Sequence, residues 1–283
     1  MGTILLILIC VAIILGFVLI LDSSRRTKEK TKSLPEKQKH AEEKPRSMQI
    51  KISLPDMQIR IPQSEAGSRA ADAANLILEY TKAGKLEEAR EIYDSMPAMG
   101  DSQALKELRA MAATSLISAY AWEPDTAREI YGSMPAPGDS ETLNELRADA
   151  AANLTTAYSQ AGKPEPAREI YDSMPDPGDS QALKELRASA AMDLITTYAN
   201  AGTPDAAREI YDAMPAPGDS QTVKELRAVA AIALISAYAK AGKLEEARII
   251  YDAMPGLGDS PDVKQCRDMA AGIIKMLEEK GHP

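Results

Sequence analysis

Apolar positions recur at helical spacing through most of the chain. The segment "GDSQALKELRAMAATSLISAY" opens with Asp101 and Ser102, residue types that cap helices, and then places Leu105, Leu108, Ala112, Leu116 and Tyr120 three or four residues apart. This pattern predicts one helix of about nineteen residues, and its apolar stripe must be covered by another element. The segment "AGKLEEAREIYDSMP" breaks at Gly84, restarts with acidic residues in its first turn, and sets Ala89, Ile92, Tyr93 and Met96 at i, i+3, i+4 and i+7. Pro97 and Gly100 end it. Together the two patterns predict a pair of antiparallel helices.

The pair is repeated. Tyr-x-x-Met-Pro occurs at Tyr93, Tyr131, Tyr171, Tyr211 and Tyr251, with intervals of 38, 40, 40 and 40 residues, and Tyr80, Tyr120, Tyr158, Tyr198 and Tyr238 recur in the same register. All ten tyrosines belong to the repeating unit. A fixed period of this length means stacked units that bury their apolar faces on one another. The short interval arises where "AYAWEPDTAREI" lacks two residues present in "AYSQAGKPEPAREI", between the two helices. Repeats are expected at about 66–100, 101–138, 139–178, 179–218 and 219–258, with a capping helix over 259–283 that carries Ile274, Lys275 and Glu278 in the register of earlier Leu-Ile and Tyr. In the first repeat Asp72 and Glu79 stand where alanine is usual, as suits an exposed leading face.

The positions Leu76-Ile77, Tyr80, Ala83-Gly84, Ala89 and Tyr93, and the string "LISAYAKAGKLEEARIIYDAMP" at Leu234 to Pro255, resemble the tetratricopeptide repeat and the related pentatricopeptide repeat. The resemblance implies an all-α, right-handed α-α solenoid of five such hairpins over residues 65–283. It also implies that one face of each first helix lines a concave groove. Comparing the five copies, Arg109, Ala113, Leu116, Tyr120 and their equivalents are constant, whereas Ala71, Ala74, Leu78, Met111, Thr114, Ser118, Asp149, Ala152, Thr156, Ser189, Met192, Thr196, Val229, Ile232 and Ser236 vary and share one stripe. That stripe is the expected surface for a weakly polar peptide or partner helix, with Lys82, Gln160, Asn200 and Lys240 at the rim. The competing reading is that the stripe varies because solvent leaves it unconstrained.

The amino-terminal part differs. Ile4 to Leu21 are eighteen uncharged, overwhelmingly apolar residues, about 27 Å of helix, and predict an uncleaved membrane span within 1–22, with Cys10 as apolar filler. Arg25, Arg26, Lys28, Lys30 and Lys32 follow it, which places the carboxyl-terminal side in the cytoplasm and offers contacts to anionic lipid. An extracytoplasmic placement of the same domain is the alternative. Residues 23–47 read as a charged, disordered tether, and 48–64, including "MQIKISLPDMQIRIP", as a short hairpin or linker.

Composition narrows the chemistry. The formal charge is −9, divided into +5 through residue 63 and −14 beyond it, so nucleic acid is a poor default partner. Two cysteines and two histidines, His40 and His282, exclude a disulfide framework and a conventional zinc site, and neither histidine is placed to act as a base. The "GDS" at Gly100, Gly138, Gly178, Gly218 and Gly258 reads as a helix cap, because a nucleophile would not be repeated ahead of successive helices. The recurring Arg69, Arg109, Arg147, Arg187, Arg227 and Arg267 read as partners of Asp94- and Glu91-type carboxylates rather than a phosphate ladder. Trp122 reads as a plug for the shortened turn, with an exposed binding anchor as the alternative, and Cys266 as core.

These readings converge on a membrane-anchored scaffold or adaptor that binds a protein or peptide, without catalysis or cofactor. The alternative is an RNA-binding protein like the pentatricopeptide family. In that alternative the residues two before each Leu-Ile pair should be polar, whereas here they are Ala74, Thr114, Ala152, Met192 and Ile232.

Overall fold

A computed structural model describes residues 64–138, 140–256 and 260–281, all within the compact unit Met57–Pro283. Among the described residues there are eleven helices and no strand: α1 (Glu65–Lys82), α2 (Leu86–Asp94), α3 (Gln103–Ala119), α4 (Pro124–Gly132), α5 (Glu141–Gln160), α6 (Pro164–Asp172), α7 (Gln181–Asn200), α8 (Pro204–Asp212), α9 (Gln221–Lys240), α10 (Leu244–Asp252) and α11 (Pro261–Gly281). Odd-numbered helices are the long first members of each pair (A helices) and even-numbered ones the short second members (B helices).

Local chemistry sets the ends of these helices. The serine of each "GDS" is the N-cap: Ser102, Ser140, Ser180 and Ser220 accept a hydrogen bond from the backbone N–H three residues on, at 3.2–3.4 Å. The A helices leave through a glycine in the left-handed region, Gly84, Gly162, Gly202 and Gly242, with φ between 67° and 78°. Repeat 2 lacks that glycine, and α3 stops at Ala119 with Tyr120 as its C-cap. Proline occupies the first turn of α4, α6 and α8, where its missing N–H costs nothing. Each B helix is nine residues long and ends before Met-Pro, because the residue ahead of a proline is held out of the helical region.

The A helices pack in succession, and each B helix packs on its own A helix and on the next one. Alanine makes this close: Ala89, Ala127, Ala167, Ala207 and Ala247 on the B helices, and Ala113, Ala151, Ala191 and Ala231 on the A helices, are fully buried. The scarcity of large rings follows from that short distance between backbones. Leu116, Leu154, Leu194 and Leu234 are fully buried, whereas Leu76 in the same register is 39% exposed, because nothing described precedes α1 in the stack. At the other end Glu278 of α11 pairs with Arg248 at 2.7 Å, and Cys266 is buried in the core.

The recurring A-helix arginine does something other than the ion pairing expected of it. Arg109, Arg147, Arg187, Arg227 and Arg267 lie over the rings of Tyr93, Tyr131, Tyr171, Tyr211 and Tyr251 of the preceding repeat, 4.4–4.8 Å from the ring centroid. Each also donates to main-chain carbonyls at the end of the preceding B helix, as Arg147 does to Pro135 at 2.9 Å. A planar guanidinium suits both tasks at once, and it leaves no ladder of free cations for phosphate. Ion pairs between repeats come instead from a second arginine series, on the B helices, Arg90 with Glu129, Arg128 with Glu169 and Arg168 with Glu209, and from two turn lysines, Lys163 with Asp125 and Lys243 with Asp205.

The expectation of a single-pass protein with a cytoplasmic repeat domain is corrected. No helix among the described residues is long and apolar enough to cross a membrane. Even α9, rich in aliphatics, carries Lys224, Glu225, Arg227 and Lys240. The segments expected as span, tether and hairpin, with the basic group Arg25, Arg26, Lys28, Lys30 and Lys32, lie outside the described residues.

Candidate binding face

Because B helices cover only one side of the A layer, the other side is open. On α5 it is lined by half-exposed Glu145, Asp149, Asn153 and Thr156 and ends in exposed Gln160, three or four residues apart. Glu185, Asp193, Thr196 and Asn200 follow the same course on α7, as do Glu107, Met111, Ser115 and Ser118 on α3, and Glu225, Ser236 and Lys240 on α9, whereas Ser189, Val229 and Ala233 share these registers but are buried.

The variable stripe expected from the sequence meets this face only in part. Leu78 is 41% exposed, and Met111, Ser118, Asp149, Thr156, Thr196 and Ser236 are half-buried along it. Lys82, Gln160, Asn200 and Lys240 stand exposed at its edge. Thr114, Met192 and Ile232 do not belong to it: they are buried, as are Ser189 and Val229. The hydroxyl of Thr114 shows why, since it donates to the carbonyls of Ala110 and, across the helix interface, Leu146. The register that looks outward lies one residue further on, at Asn75, Ser115, Asn153 and Asp193. Variation between copies does not separate the two registers, because small apolar residues are interchangeable in a loosely matched helix seam and small polar ones are interchangeable in solvent. For the same reason the residues singled out for the base-reading test, Ala74 to Ile232, are packing residues.

The open face is acidic and hydrogen-bonded between repeats. Thr156 donates to Asp193 at 2.5 Å, from α5 to α7, and Asn153 donates to Asp149. The capping hydroxyls of Ser140, Ser220 and Ser260 donate to Glu107, Glu185 and Glu225 of the preceding A helix at 2.7–3.2 Å. Burial pushes the carboxyls of Asp149 and Asp193 up to about 6, with the hydrogen bonds from Asn153 and Thr156 opposing the shift. Burial and then Glu141 raise Glu145 above the ordinary carboxylate range. Among the described residues of α1, α3, α5, α7 and α9, the only cations in these registers are Lys82 and Lys240 at the edge. Among the described residues no three His, Cys, Asp or Glu are grouped so as to hold a metal ion.

A stack of helical hairpins with one open face defines a helical-repeat scaffold. A family model described as PPR repeat matches residues 75–101, 153–178 and 230–259, in the first, third and fifth repeats. The tetratricopeptide-like likeness lies close to that finding; nothing in it bears on a membrane anchor. No curated protein and no solved structure matches the chain.

Proposed function

We propose that the chain is a non-catalytic scaffold that holds an extended, basic segment of a partner protein along the open face of its A helices. The observation that carries this reading is the chemistry of that face. Six carboxylates, Glu107, Glu145, Asp149, Glu185, Asp193 and Glu225, run along it with hydroxyls and amides between them, and no arginine is among them. Half-exposed carboxylates beside small polar side chains suit a ligand that brings ammonium or guanidinium groups and backbone N–H donors.

A second reading, single-stranded RNA, is favoured by the match to PPR repeats, which weighs more for RNA than for a peptide. The outward register Asn75, Ser115, Asn153 and Asp193 also offers one small polar group in each of the first four repeats, with Ala233 in the fifth. Against it stands the charge, since a phosphate backbone laid on this face would meet carboxylates where binding needs lysine and arginine.

Fluorescence anisotropy separates the two readings. The full-length chain at low salt is titrated with a labelled lysine-serine decapeptide and with a labelled oligouridylate. The peptide is expected to bind, and to weaken at least tenfold when Glu145→Gln, Asp149→Asn and Asp193→Asn are combined. Removing three carboxylates from the B helices (Glu88→Gln, Glu165→Gln, Glu246→Gln) should change it little. Tighter binding of the oligouridylate, or equal loss in both triple variants, would refute the peptide reading.

A further inference from the structure

The turn between the two helices of repeat 2 differs from the others in a way that specifies a ligand. In repeats 1, 3 and 5 a lysine of this turn sits over the A-helix tyrosine: Lys85 over Tyr80, Lys163 over Tyr158 and Lys243 over Tyr238, with Nζ 5.4–5.8 Å from the ring centroid. In repeats 3 and 5 the arrangement is closed by the first-turn aspartate of the preceding B helix. Asp125 accepts from the Tyr158 hydroxyl at 2.9 Å and from Lys163 at 3.0 Å, and Asp205 accepts from Tyr238 and Lys243 at 3.2 and 3.0 Å. The chain itself thus shows that ring plus carboxylate is a seat for an alkylammonium group.

Repeat 2 keeps the ring and the carboxylate and loses the lysine. Tyr120 is in place, and Glu87 of α2 stands where Asp125 stands for the next repeat. The position of Lys163 and Lys243 is taken by Glu123. The two-residue deletion brings a second ring to the same corner. Trp122 is 65% exposed, so it does not plug the turn; it lies 6.5 Å from Tyr120, tilted by 42°. Its Nε1 donates to Glu123 Oε1 at 3.1 Å, and Thr126 holds the other oxygen of the same carboxylate, so the indole is oriented rather than loose. Burial, then Glu87 and Glu123, push the Tyr120 phenol above its ordinary value against the pull of Arg90. That arginine is engaged by Asp94. The indole, held by Glu123 and set beside Tyr120, stands exposed at the edge of the open face where other repeats carry Gln160, Asn200 or Lys240.

We propose that the corner formed by Tyr120, Trp122, Glu123 and Glu87 binds a lysine side chain of the partner, in the seat that the chain's own lysine fills in repeats 1, 3 and 5. This rests on the reading of the open face as a peptide surface, and it names one anchoring contact. Trp122 is the sole tryptophan of the chain, so its fluorescence reports on this corner alone.

The test titrates the full-length chain with tetralysine, with its fully Nε-acetylated form and with an oligouridylate, recording Trp122 emission and heat of binding. Tetralysine is expected to change the emission saturably, and the acetylated peptide is not. Glu123→Lys restores the residue type of repeats 1, 3 and 5, so the variant folds; it should weaken tetralysine about tenfold, and Trp122→Ala should do the same by calorimetry. If tetralysine binds by calorimetry with no change in emission and no effect of Glu123→Lys, the corner is wrong and the peptide surface stands. If tetralysine releases no heat while the oligouridylate binds, both fail together.

Discussion

The tyrosines of the B helices supply a self-contained test of how the repeats are joined. Tyr93 and Tyr131 are buried, and their hydroxyls meet the C-cap serine of the next repeat, Ser133 at 2.9 Å and Ser173 at 3.1 Å. Each serine donates its own proton to a carbonyl, Ile130 or Ile170, so the phenol is the donor in the pair. In the next two repeats the C-cap is Ala213 and Ala253, and the buried hydroxyls of Tyr171 and Tyr211 have no hydrogen-bond partner. Arg187 and Arg227 lie over those rings but aim their N–H groups at the Met174 and Met214 carbonyls. Ala213→Ser places an acceptor at the end of an exposed C-cap that the first three repeats already fill with serine, so no packing has to change. A new hydrogen bond contributes about 0.5–1.5 kcal/mol, and relieving a buried orphan donor puts the expected gain at the upper end, about 1 kcal/mol or slightly more. For a domain of this size that raises the melting temperature by about 2–4 °C. Urea denaturation followed by circular dichroism measures the gain, and the same substitution in a Tyr171→Phe background isolates it, because no phenol remains to donate. Ala213→Ser should then be neutral, and Tyr171→Phe alone neutral or stabilising, whereas Tyr131→Phe costs about 1 kcal/mol. Equal effects of Ala213→Ser with and without the phenol would refute the assignment.

Other consequences can be checked by similar measurements. Arg187→Ala should destabilise by about 2–4 kcal/mol, since it removes a ring-stacked cation and a charged donor to the Met174 carbonyl, and Arg187→Lys should recover only part of the loss in thermal melts. Because burial raises the Asp193 carboxyl to about 6, its ionised form opposes folding. Asp193→Asn should stabilise by about 1–2 kcal/mol at pH 8, and the gain should shrink through pH 6 and vanish below about pH 4, where folded and unfolded chains are both protonated. A pH-independent gain in denaturation curves would contradict that cause. Ile249 is 54% exposed at the position of Glu129, Glu169 and Glu209, so Ile249→Glu should create a pair with Arg208. The pair should add about 0.2–1 kcal/mol at low salt and less in high salt, read from melting curves.

Much of the architecture is legible in the sequence because each repeat states it again. The Tyr-x-x-Met-Pro interval gives the period, the serine of "GDS" gives the start of each A helix after the first through a hydrogen bond three residues long, and alanines at apolar positions give the close approach of backbones. These are local or periodic effects, and five copies average out the noise of any one. Side-chain destinations between repeats are not legible in this way. Arg109 and its equivalents have carboxylates near them in sequence, yet they stack on a tyrosine of the preceding repeat, because only the packed hairpins bring that ring and those carbonyls to the same guanidinium. The outward register of the A helices was likewise settled by packing. Rotating a helix by one residue turns it about 100°, and that exchanges Thr114, Ala152 and Met192 for Ser115, Asn153 and Asp193 on the open face. Periodicity alone determines that a stripe exists; which neighbours cover it decides where the stripe ends. The same holds for repeat 2, where two missing residues mark an altered turn in the sequence, and only the tertiary structure places Trp122, Tyr120 and two carboxylates around one corner.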